Sequence, residues 1–406
     1  MNRAIGLLVI IFIALSLFIF AISCSTDGGG AGKSDDDTDD DTDDDVNSFL
    51  DPENPGPYLV GNTSFIFEDT TRLLSCGEGN RRLVVEVWYP ASDDASEWPE
   101  NYFSDFFLNQ LDAVIEYMKE HGELPPDGEF NDFPTGSYRD APLNPDAAPM
   151  PILIFSHGIS SNRFQNYTMS NYLASHGYLV VAPDHTCNAM FAPLPEGPIF
   201  FDPLNLPLTL GERKQDLSFL LDVFASNPPE MFIGRLDTQH IGFWGHSLGG
   251  ITVTEQTKFE PRVSAMLQLA AFGFPPMPEG VTAQSMYMWG LQDKIMAPFE
   301  TFHDQIIEQM PKPKYELNFI DTGHFAFSDL CVYAYDLAQS GDGCGSGTRI
   351  ETGEPFENPG HDEMHKVMNP YATAFFGSAF FNYPELNEFL AQNHFPDRIT
   401  YNPMTK

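Results

Sequence analysis

Three residue types that could cooperate in acyl transfer occur in order along this chain. Gly245-His246-Ser247-Leu248-Gly249 reads G-x-S-x-G, a serine held between small residues. A serine hydroxyl is a poor nucleophile at neutral pH, so it needs a base to remove its proton during attack. His324 is the candidate base, in Asp321-Thr322-Gly323-His324. Asp293, in Gly290-Leu291-Gln292-Asp293, is the candidate acid that fixes the imidazole tautomer and stabilises the imidazolium. Asp321 and Asp329 are competing acids, with Asp321 too close to His324 in the chain for the usual arrangement. The tetrahedral intermediate also needs amide donors. Backbone N–H groups of Leu248, just after the nucleophile, and of Ile159, in Ser156-His157-Gly158-Ile159, are the candidates, with the His157 side chain read as a packing and turn residue.

Each of these residues requires an element to hold it. A G-x-S-x-G turn works as a nucleophile elbow when a buried strand leads into it and a helix leads out. Ile241-Gly242-Phe243-Trp244 fits the strand, and Gly249-Gly250-Ile251-Thr252-Val253-Thr254 continues without proline. Further strands are expected at Pro151-Ile152-Leu153-Ile154-Phe155, over 262–269, over 285–289 and over 315–320. Asp293 and His324 each follow one of these runs. They therefore fall at the carboxyl edge of the sheet, where the ligand-binding groups of open α/β sheets gather. The chain order Ser, Asp, His is that of an α/β-hydrolase.

Several segments resemble bacterial dienelactone-hydrolase-like proteins and the platelet-activating factor acetylhydrolases. They are Arg82-Leu83-Val84-Val85-Glu86-Val87-Trp88-Tyr89-Pro90, then Ile154-Phe155-Ser156-His157-Gly158. Leu173-Ala174-Ser175-His176-Gly177-Tyr178, Val180-Val181-Ala182-Pro183-Asp184-His185, the stretch 213–222 and Gly323-His324-Phe325-Ala326-Phe327-Ser328-Asp329 continue the likeness. It runs over about 58–381. It implies an α/β-hydrolase fold, a mostly parallel sheet flanked by helices, and cofactor-free ester hydrolysis through Ser247, Asp293 and His324. Dienelactone hydrolases often carry a cysteine nucleophile; serine at this position points to ordinary esters. A weaker likeness extends to cutinase-like polyester hydrolases.

The chain of 406 residues is read as one α/β domain over 51–406, preceded by a targeting segment and a tether. Residues 1–23 look like a lipoprotein signal, with Ala21-Ile22-Ser23-Cys24 as the lipobox and Cys24 as the lipidated residue. An uncleaved membrane anchor is the alternative, since the apolar run is long enough to span a bilayer. Either reading places the protein outside the cytoplasm, on the outer membrane or cell surface. Residues 24–50 are rich in glycine and aspartate, cannot build a core and read as an extended tether. That aspartate run lacks the glycine and terminal glutamate of an EF-hand loop. The net charge of −38 argues against binding a nucleic-acid backbone. Apart from Cys24, an even set remains: Cys76, Cys187, Cys331 and Cys344. Cys331 with Cys344, flanking a glycine-rich loop, is the preferred disulfide, and Cys76 with Cys187 is a further option.

Two stretches look inserted, 92–140 and 188–207, and both could cap the site. The first carries Phe103, Phe106, Phe107, Leu111, Val114, Ile115 and Met118 at helical spacing. The second contains Met190-Phe191-Ala192-Pro193-Leu194-Pro195 and Ile199-Phe200-Phe201. An apolar cap would suit an apolar acyl or aromatic group; ordinary domain packing would explain the same residues. His361-Asp362-Glu363-Met364-His365 places two histidines four apart, a zinc-binding spacing, but Asp362 stands where a zincin needs glutamate. It is read as a solvated helix start, with no metal. The leading expectation is a serine esterase for short-chain or phospholipid-derived esters, such as a 1-alkyl-2-acetylglycerophosphocholine esterase. A cutinase-like polyester hydrolase or lipase, and a non-catalytic surface binding protein on the same scaffold, are the rivals.

Overall fold

Runs of β-branched and aromatic residues, each bounded by turn residues, become the strands of one large sheet. The computed structural model describes residues 51–405, apart from 122, 123, 125–127, 148 and 335–339. The expected signal segment, Cys24 and the tether lie outside the described residues. No helix among the described residues is long and apolar enough to cross a membrane.

The strands are, in chain order, β1 (Leu59–Leu73), β2 (Asn80–Ala91), β3 (Glu100–Tyr102), β4 (Pro134–Arg139), β5 (Met150–Ser156), β6 (Leu179–Asp184), β7 (Phe191–Leu194), β8 (Gly197–Phe200), β9 (Leu236–His246), β10 (Ala265–Leu269), β11 (Gln284–Gly290), β12 (Lys314–Phe319), β13 (Ser346–Thr348), β14 (Pro355–Glu357) and β15 (Ile399–Met404). The helices are α1 (Leu111–Glu120), α2 (Tyr167–Ser175), α3 (Thr209–Ser226), α4 (Leu248–Thr257), α5 (Glu300–Gln309), α6 (Leu330–Tyr333), α7 (His361–Phe381) and α8 (Pro384–Phe389).

Eleven strands form the main sheet in the order β15-β12-β11-β10-β9-β5-β6-β2-β1-β4-β3. From β6 through β5, β9, β10 and β11 to β12 every neighbouring pair is parallel. Antiparallel β2 and β15 flank this parallel block. The central parallel strands β5, β6 and β10 are buried along their whole length, as a sheet covered by helices on both sides demands. Along β5, Ile152 and Ile154 enter one core with Leu217, Leu220, Leu221 and Phe224 of α3. Leu153 and Phe155 enter the opposite core with Leu173 of α2 and Tyr371, Phe375 and Phe376 of α7. This is the α/β-hydrolase architecture that the sequence pattern implied.

The aromatic pattern across 103–118 predicts one amphipathic helix. The chain instead breaks at Leu108 and Asn109, whose φ angles are 49° and 65°. A short 3-10 turn, Phe103–Phe107, precedes the break and α1 follows it. Phe106 stacks on Phe164 at 4.9 Å and Phe107 on Phe191 of β7 at 5.1 Å, so the two inserted stretches pack against one another. Tight aromatic packing overrides the helical period here.

A buried ionic network locks this region to the sheet. Arg163 donates from Nε to Glu86 Oε2 at 2.9 Å and from Nη1 to Asp184 Oδ2 at 2.7 Å, and all three side chains are fully buried. Burial pushes the Asp184 carboxyl up to about 6, against the opposing pull of Arg163. Removing one partner of such a set strands uncompensated charge in the core. Arg163→Met is therefore expected to destabilise the fold by about 3–5 kcal/mol. Urea unfolding checks this: the midpoint should fall while the slope is unchanged, and an unchanged midpoint would show the network to be energetically idle.

Candidate active site

Ser247 sits between the last residue of β9 and the first residue of α4, with φ 56° and ψ −124°. That left-handed conformation is costly for a residue with a Cβ and persists only where its surroundings impose it. The flanking glycines show what imposes it. A Cβ on Gly249 would lie 1.8 Å from the Ser156 carbonyl oxygen, and one on Gly245 would lie 2.5 Å from the Gly249 backbone. The turn closes because nothing but hydrogen occupies those positions.

The structure brings the three candidate residues together from three loops. His324 Nε2 is 2.9 Å from Ser247 Oγ, and His324 Nδ1 is 2.8 Å from Asp293 Oδ2. Asp293 follows β11, and its Oδ1 accepts from the amides of Ile295 at 2.9 Å and Met296 at 2.8 Å. With Oδ1 held by the backbone, Oδ2 is aimed at the imidazole. Burial alone would lower the His324 pKa, but the Asp293 charge and hydrogen bond outweigh it and raise the pKa above the usual histidine value. The competing acids are occupied elsewhere. Asp321 pairs with Arg349, and Asp329 pairs with His361 and His365.

The two candidate amide donors stand in suitable places. Leu248 opens α4, so its N–H belongs to the first turn, whose amides have no acceptor within the helix. Ile159 lies in the turn after β5. Its neighbour Gly158 is already engaged, donating its N–H to Gln165 Oε1 at 2.6 Å. Arg213, fully buried on α3, donates to the carbonyls of His157 and Gly158 and so clamps the same turn.

Sequence reasoning missed the residues that connect these parts. Gln165 Nε2 donates to His246 Nδ1 at 2.6 Å, and His246 Nε2 donates to the His324 carbonyl at 3.0 Å. His246 is thereby the neutral tautomer, and burial together with the nearby His324 keeps its pKa well below the usual value. A single chain of hydrogen bonds thus joins the amide-donor turn, the elbow and the histidine loop. His246 was visible only as the variable position of G-x-S-x-G. Asp342 is a second omission: its Oδ1 accepts from the His324 N–H at 2.9 Å. The loop holding Asp342 is tied to α6 by the Cys331–Cys344 disulfide, the preferred pair, and Cys76–Cys187 is bonded as well.

A second Ser-His-Asp chain lies nearby. Ser156 Oγ is 2.9 Å from His185 Nε2, and His185 Nδ1 is 2.9 Å from Asp216 Oδ2. All of these are fully buried, and Asp216 is also gripped through both oxygens by Arg81 at 2.6 Å. Burial and the Arg213 charge hold His185 down at about 4, so its imidazole stays uncharged near neutral pH. This chain braces the sheet against α3. Among the described residues, only the Ser247 set combines the geometry with the elbow at the sheet's carboxyl edge.

The expected solvated start at His361 is corrected in part. His361 does begin α7, but His365 is buried, and both rings turn onto buried Asp329. One helical turn places both histidines on the side of α7 that faces Asp329, which their spacing could not reveal.

Comparison with known proteins finds similar chains. Residues 46–192 match the family model described as platelet-activating factor acetylhydrolase, isoform II. A platelet-activating factor acetylhydrolase from Cavia porcellus is 26% identical over 267 residues, covering 55% of this chain and 56% of the relative. A probable 1-alkyl-2-acetylglycerophosphocholine esterase from Arthroderma benhamiae is 30% identical over 236 residues, covering 54% of this chain and 58% of the relative. The chain thus spans somewhat over half the length of these curated relatives. A ferulic acid esterase from Streptomyces cinnamoneus superposes with a TM-score of 0.65 at 23% identity, over 85% of this chain and 96% of that one, which supports the fold. The chain has an α/β-hydrolase fold and is similar, over part of its length, to platelet-activating factor acetylhydrolases.

Because the raised pKa of His324 derives from Asp293, its base form should appear only above the usual histidine range. For any ester the chain turns over, kcat/KM should rise with pH through a midpoint above about 6.5 and then level off. Asp293→Asn should lower the rate about 10,000-fold and move any residual midpoint downward. A pH–rate profile of both proteins checks this; a midpoint unmoved by the substitution would disconnect Asp293 from His324.

Proposed function

We propose that this protein is a serine carboxylic ester hydrolase working through Ser247, His324 and Asp293. The observation that carries the reading is the continuous relay from Asp293 Oδ2 through both ring nitrogens of His324 to Ser247 Oγ, at 2.8 and 2.9 Å. Ser247 Oγ attacks the ester carbonyl carbon while His324 Nε2 takes its proton. The amides of Leu248 and Ile159 stabilise the oxyanion. The carbon–oxygen bond to the alcohol then breaks, and His324 protonates the departing oxygen. Water, activated by the same imidazole, hydrolyses the acyl-enzyme and restores the serine. Electrostatic stabilisation by two preset donors is worth about 100- to 1,000-fold in rate for each donor lost.

Short-chain or phospholipid-derived esters are the proposed substrates. The names of the two curated relatives support this class. So does an apolar cluster next to the nucleophile, in which Leu248, Leu210 and Ile295 pack with Ile251, Phe272 and Trp289. We also propose that the enzyme works outside the cytoplasm, tethered through Cys24, on the strength of the lipobox-like Ala21-Ile22-Ser23-Cys24.

Hydrolysis of p-nitrophenyl esters from acetyl to palmitoyl, with Ser247→Ala in parallel, tests the reading. Activity highest on short acyl chains and abolished in the variant is expected. A long-chain optimum would replace the acetylhydrolase-like substrate class with a lipase-like one. Near-wild-type turnover by the variant would remove Ser247 from the mechanism.

A further inference from the structure

Among the described residues, Asp329, His361 and His365 gather three ligand atoms that all lie within 4.8 Å of one another. Asp329 Oδ1 is 2.7 Å from His361 Nε2 and 3.0 Å from His365 Nε2. We propose that these three side chains form a structural binding site for one divalent transition-metal ion, zinc being the best fit.

The hydrogen bonds behind the cluster orient it. His365 Nδ1 donates to Asn369 Oδ1 at 3.0 Å, and His361 Nδ1 donates to Asp362 Oδ1 at 2.9 Å. The backbone N–H of Thr168 holds the other oxygen, Asp329 Oδ2, at 2.9 Å. Each ring has therefore spent its Nδ1 proton on an outer acceptor and turns Nε2 toward the carboxylate. In the metal-free chain a ring proton on Nε2 bridges to the carboxylate oxygen, and one metal ion would take the place of the protons on both rings. Metal-ligating histidines characteristically have their other nitrogen satisfied in this way.

The donor set selects the ion. Two imidazoles and one carboxylate suit zinc and its neighbours, whereas calcium and magnesium prefer all-oxygen sites. Tetrahedral zinc with bonds of about 2.0–2.1 Å separates its ligands by about 3.3 Å. The present 2.7 and 3.0 Å separations would widen by a few tenths of an ångström. His361 can yield this, since its side chain is 21% exposed, while Asp329 is fully buried. That same exposure leaves water as the fourth ligand.

The site's position defines its role. Asp329 follows the His324 turn, and its N–H donates to the Gln165 carbonyl at 2.9 Å. Asn166 Nδ2 donates to the Phe327 carbonyl at 2.7 Å. A metal ion here would fasten the start of α7 to the loop that carries His324. The inference is independent of the proposed ester hydrolysis, because it is read from binding and melting rather than from turnover.

The test uses the full-length chain, stripped with a chelator and then titrated with zinc sulfate in excess calcium, which competes for any weak binding to exposed carboxylates. Calorimetry and elemental analysis should find one tightly held zinc per chain, and the melting temperature should rise by several degrees with zinc. His361→Ala, a change at a partly exposed helix start, should lose the stoichiometric zinc and the melting shift while keeping its circular dichroism. No zinc uptake by the wild-type chain, or undiminished uptake by the variant, would overturn the proposal. Should the variant fail to fold, an absent zinc-dependent melting shift in the wild type would overturn it equally.

Discussion

The site depends on one close approach of backbone to backbone. β5 and the first turn of α4 meet so tightly that the Gly249 position has no room for a methyl group beside the Ser156 carbonyl. This contact holds Ser247 at φ 56° against its own preference. It also brings the start of α4 against the end of β5, beside the turn that carries Ile159. The strain of the elbow is sustained by parallel strands β5 and β9, which are buried on both faces and have no freedom to relax. A nucleophile on a loop would not be presented so rigidly.

Around that contact the protein uses buried polar groups as struts. The chain from Gly158 through Gln165 and His246 to the His324 carbonyl makes three loops a single unit. Each group in it is satisfied, which is what makes such a network tolerable in a low-dielectric interior. The Ser156, His185 and Asp216 chain shows the same residue types used only for bracing. Burial lowers the His185 pKa and the partner acid raises that of His324, so environment, not residue identity, separates a strut from a base.

The segment after His324 is secured several times over. Asp342 accepts its amide, the Cys331–Cys344 bridge holds the Asp342 loop, and Asp329 links α6 to α2 and α7. In the proposed mechanism the imidazole receives and returns a proton, and such support would keep it from drifting, since small displacements of catalytic groups are costly in rate.

Much of this was legible in the sequence because it is local. The strands around the site announce themselves through short apolar runs, and the turn at Ser247 through its glycines. The order Ser247, Asp293, His324 follows from where those runs end. What the sequence left open is settled by contacts between distant segments. The sequence favours Asp293 for its place after a strand, with Asp321 and Asp329 as competitors; the ion pairs that occupy Asp321 and Asp329 distinguish them in the structure. The aromatic run over 103–118 has helical period, yet aromatic stacking across the two insertions breaks it at Leu108. His246, Gln165 and Asp342 carry no motif, because a hydrogen-bond partner more than a dozen residues away leaves no periodic trace. His361 and His365 likewise read as a surface pair until α7 packs against α2 and turns them onto Asp329. Local propensity determined the elements and their order, and long-range packing decided which polar side chains meet.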